Sequence, residues 1–334
     1  MIEVNHLVKR YGNTLAVDDL SFTVEEGQIY GFLGPNGAGK STTLNIITGY
    51  IAPTSGEVSI DGHNILEEPE EARKCIGYLP EIPPLYTDMT VEEYLAFAAE
   101  LKKISKGKIR GMLDEIMDIT GLAEMRSRLI RNLSKGYRQR TGLAQAILGY
   151  PKIIILDEPM VGLDPKQIIE IRDLIRNLGK EHTVILSSHI LSEVSAVCDQ
   201  IMIISHGKLA ANDTPENLEK LMEGSNTLNL TVKGDALSLQ RILKQMAGIL
   251  SCSVTSSEEK GVLDVVIKTE AGLDLREQLF YLLADQKIPI LSLQQSRVSL
   301  ETVFLELTGD VPSEVPEKSA AGQEADSDER SDEQ

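Results

Sequence analysis

The sequence predicts an α/β domain with a largely parallel, doubly wound sheet and a helical insertion, followed by a small α+β domain and an acidic tail. Three observations predict this fold class. Short apolar segments alternate with helical patterns in the first 205 residues, a longer helical pattern interrupts them, and a β-α-β-β-α-β pattern comes later. Alternating strands and helices favour a parallel sheet, because each helix returns the chain to begin the next strand in the same direction.

The first domain is predicted to span residues 1–225. Its first 33 residues have the alternating or apolar patterns of strands. Thr90 followed by Glu93 is a capping-box pattern, which predicts a helix start within a helical insertion at about 85–149. After the insertion, strand and helix patterns alternate again, as the doubly wound sheet requires.

A second domain is predicted at residues 226–310. It begins with an alternating strand at 227–232, and apolar residues then recur at helical spacing in two separate stretches. The order β-α-β-β-α-β matches the split ferredoxin-like arrangement. Residues 311–334 are rich in Ser, Glu, Asp and Ala, so they have little to bury and are expected to form a disordered tail.

The composition excludes several classes of function. The 334 residues carry a net charge of −18, of which the tail contributes −6 and the remainder −12. An acidic chain argues against a broad nucleic-acid-binding surface, so no nucleic acid partner is expected. No apolar run reaches 18 residues and residues 1–5 lack signal-peptide features, so neither a membrane span nor secretion is expected. The three cysteines have no metal-ligand spacing, which favours a reduced, cytoplasmic chain.

Residues 34–41 match the phosphate-binding P-loop pattern G-x-x-x-x-G-K-[ST] between an apolar strand and a helix. The glycines let backbone N–H groups point at phosphate oxygens, and the helix N-terminus adds partial positive charge. Lys40 supplies a cation for the β- and γ-phosphates, and the Ser41 hydroxyl can ligate Mg²⁺. The alternative is a glycine-rich turn that binds nothing, but the flanking strand and helix favour phosphate binding.

Asp157 and Glu158 form a second candidate site at the end of the apolar strand 153–156. Parallel strands release their last residues at the carboxyl edge of the sheet, where ligands bind. There Asp157 can hold Mg²⁺ through water, and Glu158 can polarise a water that attacks the γ-phosphate. An apolar strand followed by two acids is by itself most often the start of a solvated loop, but the P-loop upstream favours the functional interpretation.

Further motifs, in order along residues 1–220, give the chain a specific resemblance to ATP-binding-cassette (ABC) proteins. They are Tyr11 at the A-loop position, 78–81 at the Q-loop position, 133–140 as the signature motif, 162–165 as the D-loop and His189 as the switch histidine. The resemblance implies a P-loop NTPase cassette that binds ATP and Mg²⁺. It also implies a homodimer or paired cassette, because each P-loop in this family faces the signature motif of another cassette.

The resemblance also implies roles for individual residues. Catalytic roles fall on Lys40, Glu158 and His189, and Asp164 belongs to the D-loop. The implied metal ligands are Ser41, Glu81 and Asp157. The signature residues that act in trans are Ser134, Lys135, Gly136 and Tyr137. The implied ATP-binding residues are Tyr11, Gly34, Pro35, Asn36, Gly37, Ala38, Gly39, Lys40, Ser41 and Thr42.

The chain departs from the usual family pattern at two motifs. Lys135 and Tyr137 stand at signature positions where Gly and Gln are usual, and Glu81 stands where Gln is more frequent. This combination resembles the exporter-like ABC-2 group, which includes gliding-motility and sodium-extrusion-type cassettes. Residues 299–304 resemble a segment that recurs near the C-terminus of such subunits.

The resemblance supports an ATPase subunit that drives export through separate membrane permease subunits. These would dock near residues 83–103, with the chain lying peripherally at the cytoplasmic face of the membrane. The alternative is a cytoplasmic ABC ATPase without a transporter role. Ribosome-acting members carry two cassettes and chromosome-structure members carry long coiled coils, whereas this chain has one P-loop and no heptad run. A binding protein that never hydrolyses ATP is disfavoured by the intact acidic pair and His189.

Overall fold

The computed structural model of the protein describes residues 1–221, 225–243, 246–257, 259, 261–270, 273–296 and 304. The predicted tail at 311–334 and most of the 299–304 segment lie outside the described residues. Within these residues the chain forms fourteen strands and ten α-helices, and none of these helices is long and apolar enough to cross a membrane.

The strands are β1 (Ile2–Tyr11), β2 (Thr14–Val24), β3 (Ile29–Leu33), β4 (Ser55–Ile60), β5 (His63–Asn64), β6 (Ile76–Leu79), β7 (Ile153–Leu156), β8 (Thr183–Ser188), β9 (Gln200–Ser205), β10 (Lys208–Asp213), β11 (Ser225–Lys233), β12 (Ile249–Ser256), β13 (Val262–Glu270) and β14 (Ile290–Ser296). The helices are α1 (Lys40–Ile47), α2 (Pro69–Lys74), α3 (Val91–Leu101), α4 (Lys106–Ile119), α5 (Lys135–Ile147), α6 (Pro165–Leu178), α7 (Leu191–Ser195), α8 (Pro215–Leu221), α9 (Ala236–Leu243) and α10 (Arg276–Asp285).

A six-stranded sheet with the order β10-β9-β3-β8-β7-β6 contains the predicted parallel strands. All pairs from β9 to β6 are parallel, and β10 is antiparallel to β9. Strands β3, β7 and β8 are buried along their whole length, as strands covered on both faces must be. Their carboxyl ends lie at one edge of the sheet, so they bring the P-loop, the acidic pair and His189 together. The predicted parallel sheet is thereby confirmed.

A second, antiparallel sheet with the order β2-β1-β4-β5 was not predicted as a separate layer. Its residues share a core with α1 and the parallel sheet. Leu20 and Ile60 come from the antiparallel sheet, Leu44 from α1, and Phe32 and Ile155 from the parallel sheet. Alternating apolar and polar residues show which face of a strand is buried, but tertiary contacts decide with which other strands that strand pairs.

The helical insertion consists of α3, α4 and α5, which lie between residues 91 and 147. The backbone N–H of Glu93 donates to Thr90 Oγ1 at 3.3 Å, and the N–H of Thr90 donates to Glu93 Oε2 at 2.8 Å. This reciprocal pair confirms the predicted capping box at the start of α3. Leu95 and Leu143 of the insertion join one core with Ile154 of the parallel sheet, so the insertion packs directly on the sheet.

The described residues after 225 form an antiparallel sheet with the order β12-β13-β11-β14. Along the chain, helix α9 lies between β11 and β12, and helix α10 lies between β13 and β14. This part has a core of its own, to which Leu230 and Val265 contribute from the strands and Leu243 and Leu279 from the helices. Phe304, partly buried, packs instead against the core that contains the insertion and the parallel sheet.

Candidate nucleotide-binding and hydrolysis site

The loop between β3 and α1 requires glycine for steric reasons. An added Cβ at Gly34 would lie 2.4 Å from the backbone oxygen of Ile204. Gly39 has a φ of +106°, and an added Cβ there would lie 2.6 Å from the backbone oxygen of Ala16. Both positions therefore exclude a side chain. The loop leads into the first turn of α1, whose unpaired N–H groups favour an anion.

Lys40, the first residue of α1, is buried beneath this loop. Its ammonium donates to the backbone oxygens of Gly34 at 2.7 Å and Pro35 at 3.2 Å. Glu158 Oε1 lies 3.9 Å away. Burial lowers the pKa of Lys40, and the carboxylates of Glu158 and Asp157 oppose this shift. The loop therefore holds a preformed cation at the place where phosphates would bind.

Asp157 lies directly after β7 and joins two neighbouring segments. Its Oδ1 accepts a hydrogen bond from the Ser41 hydroxyl at 3.2 Å and another from the Ser187 hydroxyl at 2.6 Å. Ser41 belongs to α1 and Ser187 to β8. A hydroxyl and a carboxylate at this spacing are hard oxygen donors, the type that Mg²⁺ prefers.

Glu158 has a strained backbone and a buried carboxylate. Its φ is +48°, unusual for a residue with a side chain, and its backbone N–H donates to Ser187 Oγ at 2.9 Å. Its carboxylate oxygens lie 3.0 and 3.1 Å from His189 Nδ1. Burial raises the pKa of Glu158, and the hydrogen bond from His189, followed by the charges of His189 and Lys40, opposes the shift. A carboxylate held in this way can accept a proton or polarise a water.

One cleft of about 310 Å³ is lined by Lys40, Ser41, Glu158 and His189, and Asp157 contacts it through Ser41. The described residues that line it are Ala16, Asn36, Gly37, Gly39, Lys40, Ser41, Thr42, Glu81, Glu158, Val161 and His189. Gly34, Pro35 and Ala38 belong to the loop without lining the cleft. Tyr11 lies outside this lining, at the end of β1 and 49% exposed, with the Lys9 ammonium 5.1 Å from its ring centre.

The predicted signature and D-loop residues meet at the start of two neighbouring helices. Ser134 caps α5 and accepts a hydrogen bond from the N–H of Tyr137 at 3.4 Å. Asp164 caps α6 and accepts one from the N–H of Gln167 at 2.9 Å. An added Cβ at Gly136 would lie 2.7 Å from the Gln167 side chain, so the two helix starts are in close contact.

The signature residues do not line the P-loop cleft. Among the described residues, the cleft lining contains none of Ser134, Lys135, Gly136 and Tyr137. The structure therefore brings Lys40, Ser41, Asp157, Glu158, Glu81 and His189 together, and places the signature motif elsewhere on the chain.

These features agree with the comparisons with known proteins. The model of the ABC transporter family matches residues 17–161. The bacitracin transport ATP-binding protein BcrA of Bacillus licheniformis is 36% identical over 311 residues, which cover 92% of this chain and 97% of that protein. The chain belongs to the ABC transporter ATP-binding proteins.

Other relatives agree with this family. The daunorubicin/doxorubicin resistance ATP-binding protein DrrA of Streptomyces peucetius is 33% identical over 311 residues, which cover 92% of this chain and 92% of that protein. The solved structure of an ABC transporter ATP-binding subunit has a TM-score of 0.61 at 32% identity, over 66% of this chain and 92% of that one. The solved structure of a dimeric ATP-binding cassette bound to ADP and Pi has a TM-score of 0.59 at 26% identity, and the match covers 64% of this chain and 98% of that one. This cassette is therefore an ATP-binding, ATP-hydrolysing subunit of the exporter-type group.

Two polar residues of the cassette were not predicted from the sequence. Ser187 joins Asp157 to the backbone of Glu158, and Gln167 fills the space beside Gly136. The signal for Ser187 was present, because it lies near the end of a strand beside the one that ends at Asp157. Gln167 had no such signal, since its contact depends on how α5 and α6 pack.

Proposed function

We propose that this ABC cassette hydrolyses Mg-ATP in a head-to-tail pair of cassettes and drives export through a separate membrane permease. The observation that carries the proposal is the buried Glu158 carboxylate, which lines the P-loop cleft between Lys40 and His189. A carboxylate in this place is within reach of a water beside the γ-phosphate of a nucleotide held by the P-loop.

Each group has a defined part in this reaction. The Lys40 ammonium now donates to two backbone carbonyls. Phosphate oxygens are stronger hydrogen-bond acceptors, so the ammonium can donate to them instead when a nucleotide binds. Glu158 takes a proton from the attacking water, and the oxygen of that water forms the new bond to the γ-phosphorus. The bond to the bridging oxygen breaks, and its electron pair leaves with ADP. His189 holds Glu158 through Nδ1, which leaves Nε2 for the γ-phosphate.

The cleft suits a magnesium ion as well as the nucleotide. Ser41 and Asp157 offer oxygen ligands that already lie within hydrogen-bond distance, and Glu81 lines the same cleft. Ser41, Asp157 through water and Glu81 would hold the ion. When bound, it would neutralise charge on the β- and γ-phosphates.

The pairing of two cassettes follows from where the signature motif lies. Ser134 and the N–H groups that begin α5 are suited to a phosphate, yet they do not line the chain's own cleft. A second cassette, either a copy of this chain or a related one, would bring its P-loop to them. The solved dimeric cassette supports this arrangement by its similarity.

A second cleft, of about 530 Å³, is the proposed docking place of the permease. Pro80 and Ile82 line this cleft, whereas Glu81 between them lines the nucleotide cleft. Tyr50 and Ile82 in its wall are exposed by 80% and 81%, which offers apolar surface to a partner helix. A movement of Glu81 when the γ-phosphate leaves would therefore also move Pro80 and Ile82, and with them a helix docked in the second cleft. The chain would then lie peripherally at the cytoplasmic face of the membrane.

The proposed division of the chain is a cassette at 1–225, a ferredoxin-like unit at 226–310 and a disordered tail at 311–334. The separate core after residue 225 supports this division. Limited proteolysis should cut first in the tail and near 223–226, which lies partly outside the described residues, and should leave two resistant fragments. Continuous protection across 223–226 would contradict the boundary.

Glu158→Gln tests the proposed reaction most directly. The change keeps size and hydrogen-bonding capacity but removes the charge that polarises the water. Hydrolysis should fall by about 10²–10⁴-fold, the usual contribution of a positioned acid–base group. ATP binding should survive, because Lys40, Ser41 and Asp157 remain. Bound ATP should then hold two cassettes together, which size-exclusion chromatography with Mg-ATP and with Mg-ADP would show.

Two further variants complete this test. Glu57→Gln makes the same chemical change at an exposed position on β4 and should leave turnover unchanged. Adding Ser134→Arg to Glu158→Gln should prevent the ATP-dependent dimer without weakening nucleotide binding. Normal hydrolysis by Glu158→Gln would show that this carboxylate is not the base. A trapped dimer that tolerates Ser134→Arg would show that the sites form at another interface.

A further inference from the structure

Glu193 is a buried acidic residue that the proposed reaction does not use. Within the part of the chain that the structure describes, three acidic side chains are buried, namely Asp157, Glu158 and Glu193. The first two belong to the candidate site, whereas Glu193 lies on the short helix α7 that follows His189. Burying a carboxyl group costs free energy unless its hydrogen bonds compensate. The hydrogen-bond partner of Glu193 is a residue directly beside the candidate site.

That partner is Ser188, the last residue of β8. Its hydroxyl donates to Glu193 Oε2 at 2.8 Å and accepts a hydrogen bond from the backbone N–H of Ile190 at 3.0 Å. Both side chains are buried. Because a carboxylate only accepts hydrogen bonds, the Ser188 hydroxyl must direct its hydrogen at Glu193, which leaves a lone pair for the N–H of Ile190. The carboxylate therefore fixes the backbone on both sides of His189.

Ser187, one residue earlier, makes the same pair of bonds. Its hydroxyl donates to Asp157 Oδ1 at 2.6 Å and accepts from the backbone N–H of Glu158 at 2.9 Å. Successive side chains of a strand point to opposite faces, so the end of β8 is held by one carboxylate on each face. His189 follows this anchored end directly, with its side chain 37% exposed and Nδ1 against Glu158.

The helix that carries Glu193 is itself fixed to the parallel sheet. Leu191 and Val194 of α7 belong to the core that contains the helical insertion and the parallel sheet. An added Cβ at Gly31 of β3 would lie 2.0 Å from Val194 Cγ1, so this helix packs tightly against the strand that leads into the P-loop. Glu193 is thus held by a rigid part of the fold, and its bond to Ser188 extends that support to the residues around His189.

We infer that Glu193 is a positioning residue for ATP hydrolysis: through the Ser188 hydroxyl, its buried carboxylate holds the backbone that carries His189. The inference rests on the proposed function, in which His189 contacts both Glu158 and the γ-phosphate. Without the carboxylate, the Ser188 hydroxyl can turn away from the N–H of Ile190, and the His189 ring loses its fixed place. The P-loop is not among the described contacts of Glu193, so ATP binding does not depend on it.

The test uses the full chain with Glu193→Met, Glu193→Gln or Ser188→Ala, each alone and combined with His189→Ala. Glu193→Met removes the acceptor at similar side-chain length, Glu193→Gln keeps an acceptor oxygen, and Ser188→Ala removes the hydroxyl between them. Phosphate release gives kcat and KM for ATP, a fluorescent ATP analogue gives its dissociation constant, and thermal unfolding gives the melting temperature.

Glu93→Met is the matched control. Glu93 Oε2 accepts a hydrogen bond from Thr90 Oγ1 at 2.9 Å at the start of α3, so this change also breaks a hydroxyl–carboxylate bond. Neither Thr90 nor Glu93 lines the P-loop cleft. The control should lower the melting temperature, because it removes a capping box, and should leave kcat unchanged.

Glu193→Met should lower kcat by about ten- to hundredfold, since a small misplacement of a group at the reacting centre can cost about 10²-fold in rate. KM and the dissociation constant of the ATP analogue should stay the same. Glu193→Gln should restore most of kcat, because its amide oxygen accepts the same hydrogen bond, and Ser188→Ala should lower kcat as Glu193→Met does. In the His189→Ala background, Glu193→Met should lower kcat no further, because both changes act through one side chain.

Several results would overturn the inference. If Glu193→Met lowers kcat equally with and without His189, or weakens binding of the ATP analogue in parallel, Glu193 supports the fold in general and not His189. A normal kcat in Glu193→Met, beside a low kcat in His189→Ala, would remove the role of Glu193 alone. A normal kcat in His189→Ala would overturn the proposed role of His189 and this inference together. If Glu193→Met does not fold, the same comparisons made with Ser188→Ala decide the question.

Discussion

The P-loop edge and the signature edge of this cassette both present glycines, a lysine and a helix N-terminus, but their side chains are held differently. At the P-loop edge, Lys40 is buried and hydrogen-bonded, and Glu158 contacts His189. At the signature edge, Lys135 is exposed and rests against Gly162 without a partner of opposite charge among the described residues. The lysine of the first edge is held by contacts within its own chain, whereas the lysine of the second has no partner of opposite charge in the part of the chain that the structure describes.

The glycines show the same difference. Gly34 and Gly39 face backbone oxygens, which cannot move without shifting a strand or a loop. Gly136 and Gly162 face the ends of flexible side chains, Gln167 and Lys135. The P-loop edge therefore has little freedom to adjust, while side chains at the signature edge can move. This suits a site in which one half binds ATP and the other half closes over it.

Lys40→Met is expected to have the largest effect, because it removes the buried cation of the rigid edge. Glu158 and two carbonyls would lose their contact with the ammonium, and the phosphates would lose a preorganised charge. Turnover should fall by about 10²–10³-fold or more, as when one preorganised electrostatic group is lost. A phosphate-release assay measures this, with Lys180→Met, an exposed lysine, as control. Near-normal turnover would refute the P-loop assignment.

Gly39→Ala and Gly136→Ala make the same chemical change at the two edges. At Gly39 the φ of +106° and the backbone oxygen of Ala16 should cost about 1–3 kcal/mol in strain and weaken ATP binding by the single chain. At Gly136 only the Gln167 side chain must move, and alanine gains about 1 kcal/mol in helix propensity over glycine. Gly136→Ala should therefore leave unfolding and single-chain ATP binding nearly unchanged, and should weaken only the ATP-dependent dimer.

Thermal unfolding, ATP-analogue binding and sedimentation separate these two outcomes. The comparison between the edges fails if Gly136→Ala reduces single-chain ATP binding as much as Gly39→Ala does. It also fails if Gly39→Ala binds ATP normally.

His189→Asn should lower turnover far more than ATP binding, because Nε2 no longer contacts the γ-phosphate, and the smallest expected effect is a shift in the pH dependence of the turnover that remains. Burial raises the pKa of Glu158, and the hydrogen bond from His189 is the largest effect that lowers it. Glu158 is active as a base only when ionised, at pH values above its pKa. Loss of His189 raises that pKa further, so the acidic limb of the pH profile should move to higher pH.

The control for this shift is His63→Asn, which removes a histidine–carboxylate contact of similar length, 3.1 Å to Glu68, away from the cleft. It should leave the profile where it is. A limb that stays in place in His189→Asn, or that moves equally in His63→Asn, would show that His189 does not set the ionisation of Glu158.

The P-loop part of the candidate site could be predicted from the sequence because its residues are neighbours along the chain. A buried strand, a glycine loop and a helix beginning at Lys40 form one local unit, and Asp157 and Glu158 follow their strand directly. The presence of a parallel sheet could be predicted for the same reason, since each strand and each helix has a recognisable pattern of apolar residues. The ATP-binding function was predictable from the order of the motifs and the family resemblance that they carry.

Contacts between distant residues could not be predicted in this way. Glu158 and His189 stand 31 positions apart, and Ser187 stands 30 positions from the Asp157 carboxylate that it contacts. The sequence predicted a catalytic role for His189 but not its contact with Glu158. The separate antiparallel sheet was missed as well, because pairing between strands depends on the whole fold.

By itself, the sequence determined which local units form, where the P-loop pattern lies and which residue types follow the parallel strands, since these depend on short-range patterns of glycine, apolar and charged residues. Only the tertiary structure decided that Lys40 is buried against Glu158, that His189 holds that carboxylate, and that Lys135 lies over Gly162 instead of reaching its own P-loop. The physical reason is that charge, burial and steric fit act between groups close in space. Their distance in space depends on how the sheets and helices pack.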